Sequence, residues 1–192
     1  MNRRVLPLLV SALLLAGSSL STADAVRKWT IDVGVQGSEI KFDKTLDVNN
    51  DLANGFRLGL VIHPALQIEG TYDTVSTRRS EAKLADSTYK QEFTGLRVMG
   101  VLKGSDDVKV NPYMIIGGGK AKTTFDPGNP GSTIRSDNTL YGDVGFGVRY
   151  QAWKGLHVNG EFVIRHLRTL DTSGTDALFS VGASWMIGFG KK

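Results

Sequence analysis

Apolar and polar residues alternate along most of the chain beyond residue 25. The segment from Ala177 to Phe189 shows this most clearly, because every second residue from its first to its last is apolar. Its other face includes the small residues Ser180, Gly182 and Ser184. Successive side chains of a β-strand point to opposite faces, so this period of two predicts a strand with one apolar face.

Seven earlier segments alternate in a similar way, and the sequence therefore predicts eight strands. In the fourth segment the apolar face is assigned from Arg97, which marks the opposite face. The fifth segment alternates ambiguously. The eight predicted strands cover residues 29–36, 56–62, 66–73, 95–102, 112–121, 140–151, 156–165 and 177–189.

The connections between these segments alternate in length. The short connections cover residues 63–65, 103–111 and 153–155. The other four are longer or more polar and cover residues 38–54, 76–90, 122–138 and 167–175. This alternation predicts an all-β fold, an eight-stranded antiparallel up-and-down barrel with one plain rim and one elaborated rim.

The first 25 residues have the three parts of a secretory signal. Arg3 and Arg4 precede the apolar stretch Val5–Gly17, and small residues follow as far as Ala25. The apolar stretch is too short to span a bilayer comfortably. We expect cleavage after Ala25, which leaves residues 26–192 as the barrel domain.

The composition removes several kinds of chemistry. The chain has no Cys, which excludes disulfides, thiolate-bound zinc, iron–sulfur clusters and cysteine nucleophiles. Its formal net charge of +4 is small, so no nucleic-acid partner is expected. Beyond the signal, no stretch approaches the roughly 18 apolar residues that a spanning helix needs.

Charged residues lie in the middle of several predicted strands, on the face opposite the apolar one. An even number of strands of about ten residues, preceded by a secretory signal, favours a barrel whose apolar face contacts lipid. The interior of an eight-stranded barrel is narrow and filled by side chains, so these charges are expected to pair inside it. The predicted ionic network of the lumen consists of Arg57, Glu69, Arg97, Asp143, Arg149, Glu161 and Arg165.

Within this network, Glu161 and Arg165 are four residues apart on the inward face. They are expected to join Arg97 in one buried cluster. Glu69 is a further candidate for the same cluster.

Four aromatic residues are predicted to lie at one rim. With the N-terminus on the short-turn side, Trp29 begins the first strand and Tyr113 begins the fifth. Tyr150 ends the sixth strand and Phe189 ends the eighth. Aromatic rings with a polar edge prefer the headgroup level of a bilayer, so the four predict an aromatic girdle. The alternative is that aromatic residues simply favour strands.

Several motifs resemble a known family when they are taken in order. They are Pro112-Tyr113 with Gly117–Gly119, the segment Gly145–Tyr150, Glu161 with Arg165, and the closing segment Gly182–Gly190. Together they are similar to the small outer-membrane β-barrel proteins that include the OmpA membrane domain, OmpX and the neisserial opacity proteins. Lys191-Lys192 departs from this pattern, since many members end at or just after a Phe. The resemblance implies the fold and an outer-membrane location rather than one activity.

No catalytic or metal-binding residues are predicted, and no cofactor. None of the three histidines stands in a recognisable relation to a Ser and an acid; they are His63, His157 and His166. Asp86-Ser87 faintly resembles the acid and serine of the barrel palmitoyltransferase, but residues 38–54 contain no His to complete the set. The acidic segments 47–51 and 106–107 lack the spacing of a calcium loop.

The sequence thus favours a monomeric outer-membrane barrel that acts as a structural envelope protein or as a surface adhesin. Its four longer connections are expected to contact host or envelope surfaces. Outer-membrane lipid, lipopolysaccharide and the barrel assembly machinery are the other expected partners. A narrow pore for small polar solutes and a lipid A-modifying enzyme remain as alternatives.

Overall fold

Eight β-strands make up the fold of the computed structural model. It describes residues 30–42, 50–78, 88–102, 109–126, 135–168 and 173–189. The predicted signal sequence and Lys191-Lys192 lie outside these residues. The strands are β1 (Thr30–Lys41), β2 (Asp51–His63), β3 (Leu66–Arg78), β4 (Thr88–Val101), β5 (Val110–Asp126), β6 (Arg135–Gln151), β7 (Leu156–Arg168) and β8 (Ser173–Gly188). The described residues form no helix that is long and apolar enough to cross a membrane.

The strands close into a barrel in sequence order. Each strand pairs antiparallel with the next, and β1 pairs with β8 from Thr30↔Gly188 to Lys41↔Ala177. Closure pairs every strand on both sides, so no ladder edge is exposed. The predicted eight-stranded up-and-down barrel is confirmed. We call the end that holds Thr30 and Gly188 the terminal end, and the opposite end the distal end.

The apolar faces of the strands point out of the barrel. Val181 is 68% exposed and Leu96 is 67% exposed, whereas Arg97 is 2% exposed and Arg165 is fully buried. A soluble barrel would have the reverse arrangement, because exposing so much apolar surface to water is unfavourable. The outward apolar band is therefore suited to contact with lipid.

The ambiguous fifth segment is resolved in β5. Tyr113, Ile115 and Ala121 point inward and are buried, whereas Met114 is exposed on the outside. Both faces of this strand are apolar near its start, which is why alternation alone could not assign them. Gly147 faces Tyr113 across the ladder, and a side chain there would overlap the tyrosine ring.

The strands extend further at the distal end than the sequence predicted. Much of the predicted connection 122–138 is a ladder, which continues from Lys122↔Asn138 to Phe125↔Arg135. The predicted connections 38–54, 76–90 and 167–175 are shortened in the same way. These strand ends were not predicted because the outward residues there are mostly polar. The alternation of apolar and polar residues that identifies a strand is therefore lost.

The barrel interior changes character along its axis. Near the distal end, Ile40 and Phe42 point inward and are buried, while Glu39 and Lys41 point outward. Val75, Phe93 and Leu178 are buried in the same apolar cluster. The predicted charged lumen is thus only one part of the filling. A mainly apolar layer, which also contains the buried Gln91, lies distal to it, and we call this layer the apolar cap.

Candidate functional site: the ion-paired interior

All seven charged residues predicted for the lumen lie inside the barrel and are buried. They come from five strands, β2, β3, β4, β6 and β7, with two residues each on β6 and β7, so no local sequence relation holds the whole set together. The buried set is Arg57, Glu69, Arg97, Asp143, Arg149, Glu161 and Arg165.

Glu161 on β7 is the centre of one part of the network. Its carboxylate accepts hydrogen bonds from Arg57 and, at 3.4 Å, from Arg97. The Tyr113 hydroxyl donates to Glu161 Oε1 at 2.7 Å. Two guanidinium groups and a phenol therefore share one buried carboxylate, which provides the compensation that a buried charge requires.

Arg97 connects this part of the network to a second carboxylate. Its Nη2 lies 3.1 Å from Asp143 Oδ2. Asp143 also accepts two bonds from Arg165, from Nε at 2.9 Å and from Nη2 at 3.1 Å. Arg165 Nη2 lies 3.5 Å from Asp73 Oδ2. Glu161 and Arg165 are thus joined through Arg97 and Asp143 rather than directly.

A separate polar cluster lies nearer the terminal end. Arg149 Nη2 donates to Asp32 Oδ2 at 3.2 Å and to Gln67 Oε1 at 3.1 Å. Gln67 Nε2 also donates to Asp32, at 3.0 Å, and Arg149 Nε donates to Asn159 at 3.3 Å. The prediction included Arg149 but not its carboxylate partner.

Asp32 and Asp73 are carboxylates of the network that the sequence analysis did not include. Both occupy inward positions of their strands, at the same alternation as the predicted polar face. That alternation was the available signal. Counting every acid on the inward face, and not only those in mid-strand, would have included both.

Glu69 differs from the other predicted members. It faces Arg97 across the β3–β4 ladder, but within the described part of the chain it makes no ion pair within 4 Å. Its Oε2 is 3.4 Å from Gln67 Nε2, and its Oε1 has no hydrogen-bond partner there. Both nearby arginines, Arg57 and Arg97, bind Glu161 instead.

Aromatic rings join the apolar cap to the ionic network. The Arg165 guanidinium lies 4.1 Å from the centroid of Phe93 and 4.5 Å from that of Tyr141. The two rings contact each other edge to face, with centroids 5.6 Å apart. Arg165 is therefore held by carboxylates on one side and by aromatic faces on another.

One member of the predicted aromatic girdle is in the wrong place. Tyr113 is 1% exposed and points into the barrel, because its hydroxyl finds a partner in Glu161. Tyr150 and Phe189 are exposed near the terminal end, as is Trp153 in the connection between β6 and β7, which the prediction did not include. Trp29 lies outside the described residues.

In the described parts of the chain none of the three histidines makes a side-chain hydrogen bond to a serine or an ion pair with a carboxylate, although His157 is opposite Ser184 in the β7–β8 ladder. His157 Nδ1 is 3.1 Å from the Gly155 carbonyl oxygen, and His166 Nδ1 is 3.1 Å from Thr175 Oγ1. His63 Nδ1 accepts a bond from the Ala65 amide. Asp86-Ser87 lies outside the described residues, as do residues 47–49 and 106–107. The described residues contain no group of three metal-binding side chains.

The ionic network and the apolar cap together fill the interior of the barrel. Each arginine of the network faces at least one carboxylate, and the apolar cap lies between this layer and the distal end. Such an interior is a packed core with ionic content.

The comparisons with known proteins agree with the fold. The family model described as "Outer membrane protein beta-barrel domain" matches residues 10–186. No curated protein matches the sequence significantly. The solved structure of Neisserial surface protein A is similar, with a TM-score of 0.63 and 13% identity over 84% of this chain and 97% of that chain.

Two further structures resemble the barrel at similar coverage. Ail, the attachment invasion locus protein of Yersinia pestis, has a TM-score of 0.52 and 16% identity over 84% of this chain and 99% of its own. The outer membrane protein AlkL has a TM-score of 0.53 and 11% identity over 90% of this chain and 96% of its own. At these identities the likeness is one of fold alone. The match of the family model over most of the chain shows that this protein belongs to the outer-membrane β-barrel domain family and is located in the outer membrane.

Proposed function

We propose that the protein is a closed, non-catalytic membrane anchor that contacts surfaces outside the cell through its distal strand ends. The filled interior is the observation that carries this proposal. A barrel without an open lumen can still present its distal rim to other surfaces. A transport protein, in contrast, needs a path for solute through the lumen.

The orientation of the barrel supports a role at the cell surface. Barrels of this class have short turns on the periplasmic side and longer extensions outside. The terminal end of this barrel includes the two-residue turn Pro64-Ala65 between β2 and β3. The distal end is therefore assigned to the outside. The full pairing of all strands supports a monomer that the barrel assembly machinery inserts.

The β5–β6 hairpin is the strongest candidate for surface contact. Both strands have 17 residues, more than the other six. Their ladder continues beyond Lys120↔Leu140 to Phe125↔Arg135. Ser136, Asp137 and Asn138 are exposed on this extension, which makes it a polar and strand-supported projection. Ail is named an attachment protein, and its similar fold supports the same kind of role here.

The alternative of a narrow pore predicts a different electrical result. An ion crossing the barrel would have to separate Arg57 and Arg97 from Glu161 and then pass the apolar cap. Both steps are costly in a narrow, low-dielectric interior. We expect the purified mature chain to give no discrete current steps in a planar lipid bilayer. Steps of one reproducible size across independent insertions would contradict the closed interior.

Shortening the β5–β6 hairpin is expected to abolish adhesion while the barrel still folds. In this variant an Asn-Gly turn replaces residues 124–136, which leaves Thr123↔Asp137 as the last pair. Cells of a non-adherent Gram-negative strain that display the full chain are expected to bind epithelial monolayers. Cells that display the shortened variant are expected to bind no better than cells without the protein.

A matched control shortens the other side of the same rim. The same Asn-Gly turn replaces residues 169–172 between β7 and β8, and adhesion is expected to remain near that of the natural chain. Migration of the unheated protein on a gel checks that both variants fold. If cells with the natural chain bind no more than cells without it, the adhesive role is rejected and an envelope-structural role remains.

A further inference from the structure

An open groove crosses the outer wall of the barrel over β6, β7, β8 and β1. Its floor is backbone at Gly160 and Gly37, where an added Cβ atom would meet nothing within 4 Å beyond the adjacent residues. Both glycines are exposed at outward positions of their strands. In the ladders Gly160 lies between Val148 and Val181, and Val181 is also opposite Gly37. We call this depression the wall groove; its volume of about 550 Å³ is within the range of small-molecule sites.

Aromatic rings form the distal side of the wall groove. Phe146, Phe162 and Phe179 are opposite one another in consecutive ladders. The ring centroids of Phe146 and Phe162 are 5.6 Å apart, and those of Phe162 and Phe179 are 4.8 Å apart. Leu52 on β2 extends this side beyond β1 and is 69% exposed. The rings and the open glycines thus form a concave apolar surface in the lipid-facing wall.

The dimensions of the wall groove suit one hydrocarbon chain. From Val148 on β6 to Gly37 on β1 the groove crosses three strand-to-strand spacings, about 14 Å in all. This is close to the length of an extended dodecyl chain. Along β7 the side chains that flank Gly160 are Phe162 and Val158, whose backbones are about 13 Å apart. These side chains fill part of that width, so an α-helix of about 10 Å diameter would not fit between them.

An acidic side chain lies at the β1 end of the wall groove. The outward side chains of β1 are apolar as far as Val35, and the next outward side chain is that of Glu39. Glu39 lines the groove beside Phe179, its partner in the β1–β8 ladder. Within the described residues Glu39 makes no ion pair with a basic side chain. Lys41 is two residues further along the same face, but its Nζ lies 5.2 Å from the centroid of the Phe179 ring. The Glu39 carboxylate can therefore accept an external cation.

We propose that the wall groove binds the hydrocarbon chain of a single-chain amphiphile whose ammonium head pairs with Glu39. The chain lies over Gly160 and Gly37, against the phenylalanine rings. Lipid is itself apolar, so the chain gains packing contacts in the groove rather than a hydrophobic driving force. The charge of the head therefore determines which amphiphile binds, because the carboxylate attracts an ammonium group and repels the head of a fatty acid.

The wall groove goes beyond the adhesive role, because it lies among the lipid-facing strands and not at the distal rim. A second copy of the chain is the competing occupant, since barrels can also associate through their walls. The outer wall of a barrel is convex. A second barrel would therefore contact the sides of the groove and leave its glycine floor uncovered.

The test is a titration of the mature barrel in phospholipid nanodiscs, with one barrel in each disc, followed by amide NMR shifts. Dodecylammonium is the probe, and dodecanol and dodecanoate carry the same chain with a neutral and an anionic head. We expect saturable shifts at Gly37 and Gly160 with dodecylammonium. The half-saturating concentration is expected to be about tenfold higher for dodecanol, and higher still for dodecanoate.

Two variants separate the head from the chain. Glu39→Gln removes the negative charge, so dodecylammonium and dodecanol are expected to bind it equally, both with the weaker affinity. Gly160→Leu fills the groove with a side chain and is expected to weaken the binding of dodecylammonium about tenfold, measured at the Gly37 amide. Heat-dependent gel migration checks that both variants are folded.

Matched controls make the same changes elsewhere on the outer wall. Gly142→Leu alters an exposed glycine of β6 where an added Cβ would meet only a carbonyl oxygen, at 3.9 Å. Glu92→Gln removes an outward carboxylate from β4. Both are expected to bind dodecylammonium like the natural chain.

Three results would overturn the proposal. The first is equal binding of dodecylammonium and dodecanol by the natural chain, and the second is unchanged binding by Gly160→Leu. The third is the appearance of the same shifts at Gly37 and Gly160 without any probe when two barrels share a disc. That result would assign the groove to an interface between copies of the chain.

Discussion

Replacing Glu161 with alanine is expected to lower the free energy of unfolding by about 3 kcal/mol, because it removes one partner of a buried ion pair. Glu161 binds Arg57, Arg97 and the Tyr113 hydroxyl. In the variant Arg57 loses the only ion-pair partner it has among the described residues. Arg97 retains Asp143, so the loss falls mainly on Arg57. Urea unfolding of the barrel in detergent micelles or small vesicles measures the change.

A second glutamate provides the control for this variant. Glu92 also forms an ion pair with a basic side chain, but its partner Lys90 is exposed on the outer wall. Replacing Glu92 with alanine is expected to change the unfolding midpoint little, because exposed ion pairs contribute little to stability. Adding Arg57→Met to Glu161→Ala removes the unpaired cation, and part of the lost stability is expected to return. Equal unfolding midpoints for Glu161→Ala and Glu92→Ala would show that the buried network contributes no more than a surface pair.

Replacing Arg165 with alanine is expected to be at least as destabilising, again by about 3 kcal/mol or more. Arg165 is fully buried and makes two hydrogen bonds to Asp143. It also lies within 3.5 Å of Asp73 and against the faces of Phe93 and Tyr141. The variant would remove the ion pair of Arg165 with Asp73 and would create a cavity beneath the apolar cap. Loss of heat resistance on a gel and a lower urea midpoint are the readouts.

The conservative variant Arg165→Lys separates charge from geometry. Lysine keeps the positive charge but cannot make the paired bonds to Asp143 or stack its plane on the aromatic rings. We expect a midpoint between those of the natural chain and Arg165→Ala. Lys41→Ala is the control, since Lys41 lies over Phe179 on the exposed outer wall and its loss is expected to matter little. Unchanged heat resistance of Arg165→Ala would count against the network as a source of stability.

Strand faces could be predicted well from the sequence because alternation is a local property. Every second residue of a strand shares a face, so Arg97 was enough to assign Leu96 to the outside of β4. The rule failed at Tyr113, because both faces of β5 are apolar there. The ring points into the barrel, where its hydroxyl donates a hydrogen bond to Glu161. It also failed at the distal ends, where the strands continue although their outward residues are mostly polar.

The pairing of the charges could not be predicted in the same way. Arg57 and Glu161 are 104 residues apart in sequence, and they lie on β2 and β7. Whether they meet depends on the stagger of all the strands around the barrel. The ladder places Glu69 opposite Arg97, yet Arg97 reaches across the lumen to Asp143 and Glu161 instead. The identity of each partner is therefore set by the cross-section of the barrel and not by neighbouring strands.

The amino-acid sequence by itself determined that this chain forms a closed sheet with an apolar outer wall and a charged inner face. It could do so because the period of two links each residue only to its near neighbours. The tertiary structure alone decided which arginine binds which carboxylate, that Asp32 and Asp73 belong to the set, and that an apolar cap lies over it. These features depend on how far each strand is displaced along the next, and that displacement accumulates over the whole circumference before any two facing side chains meet.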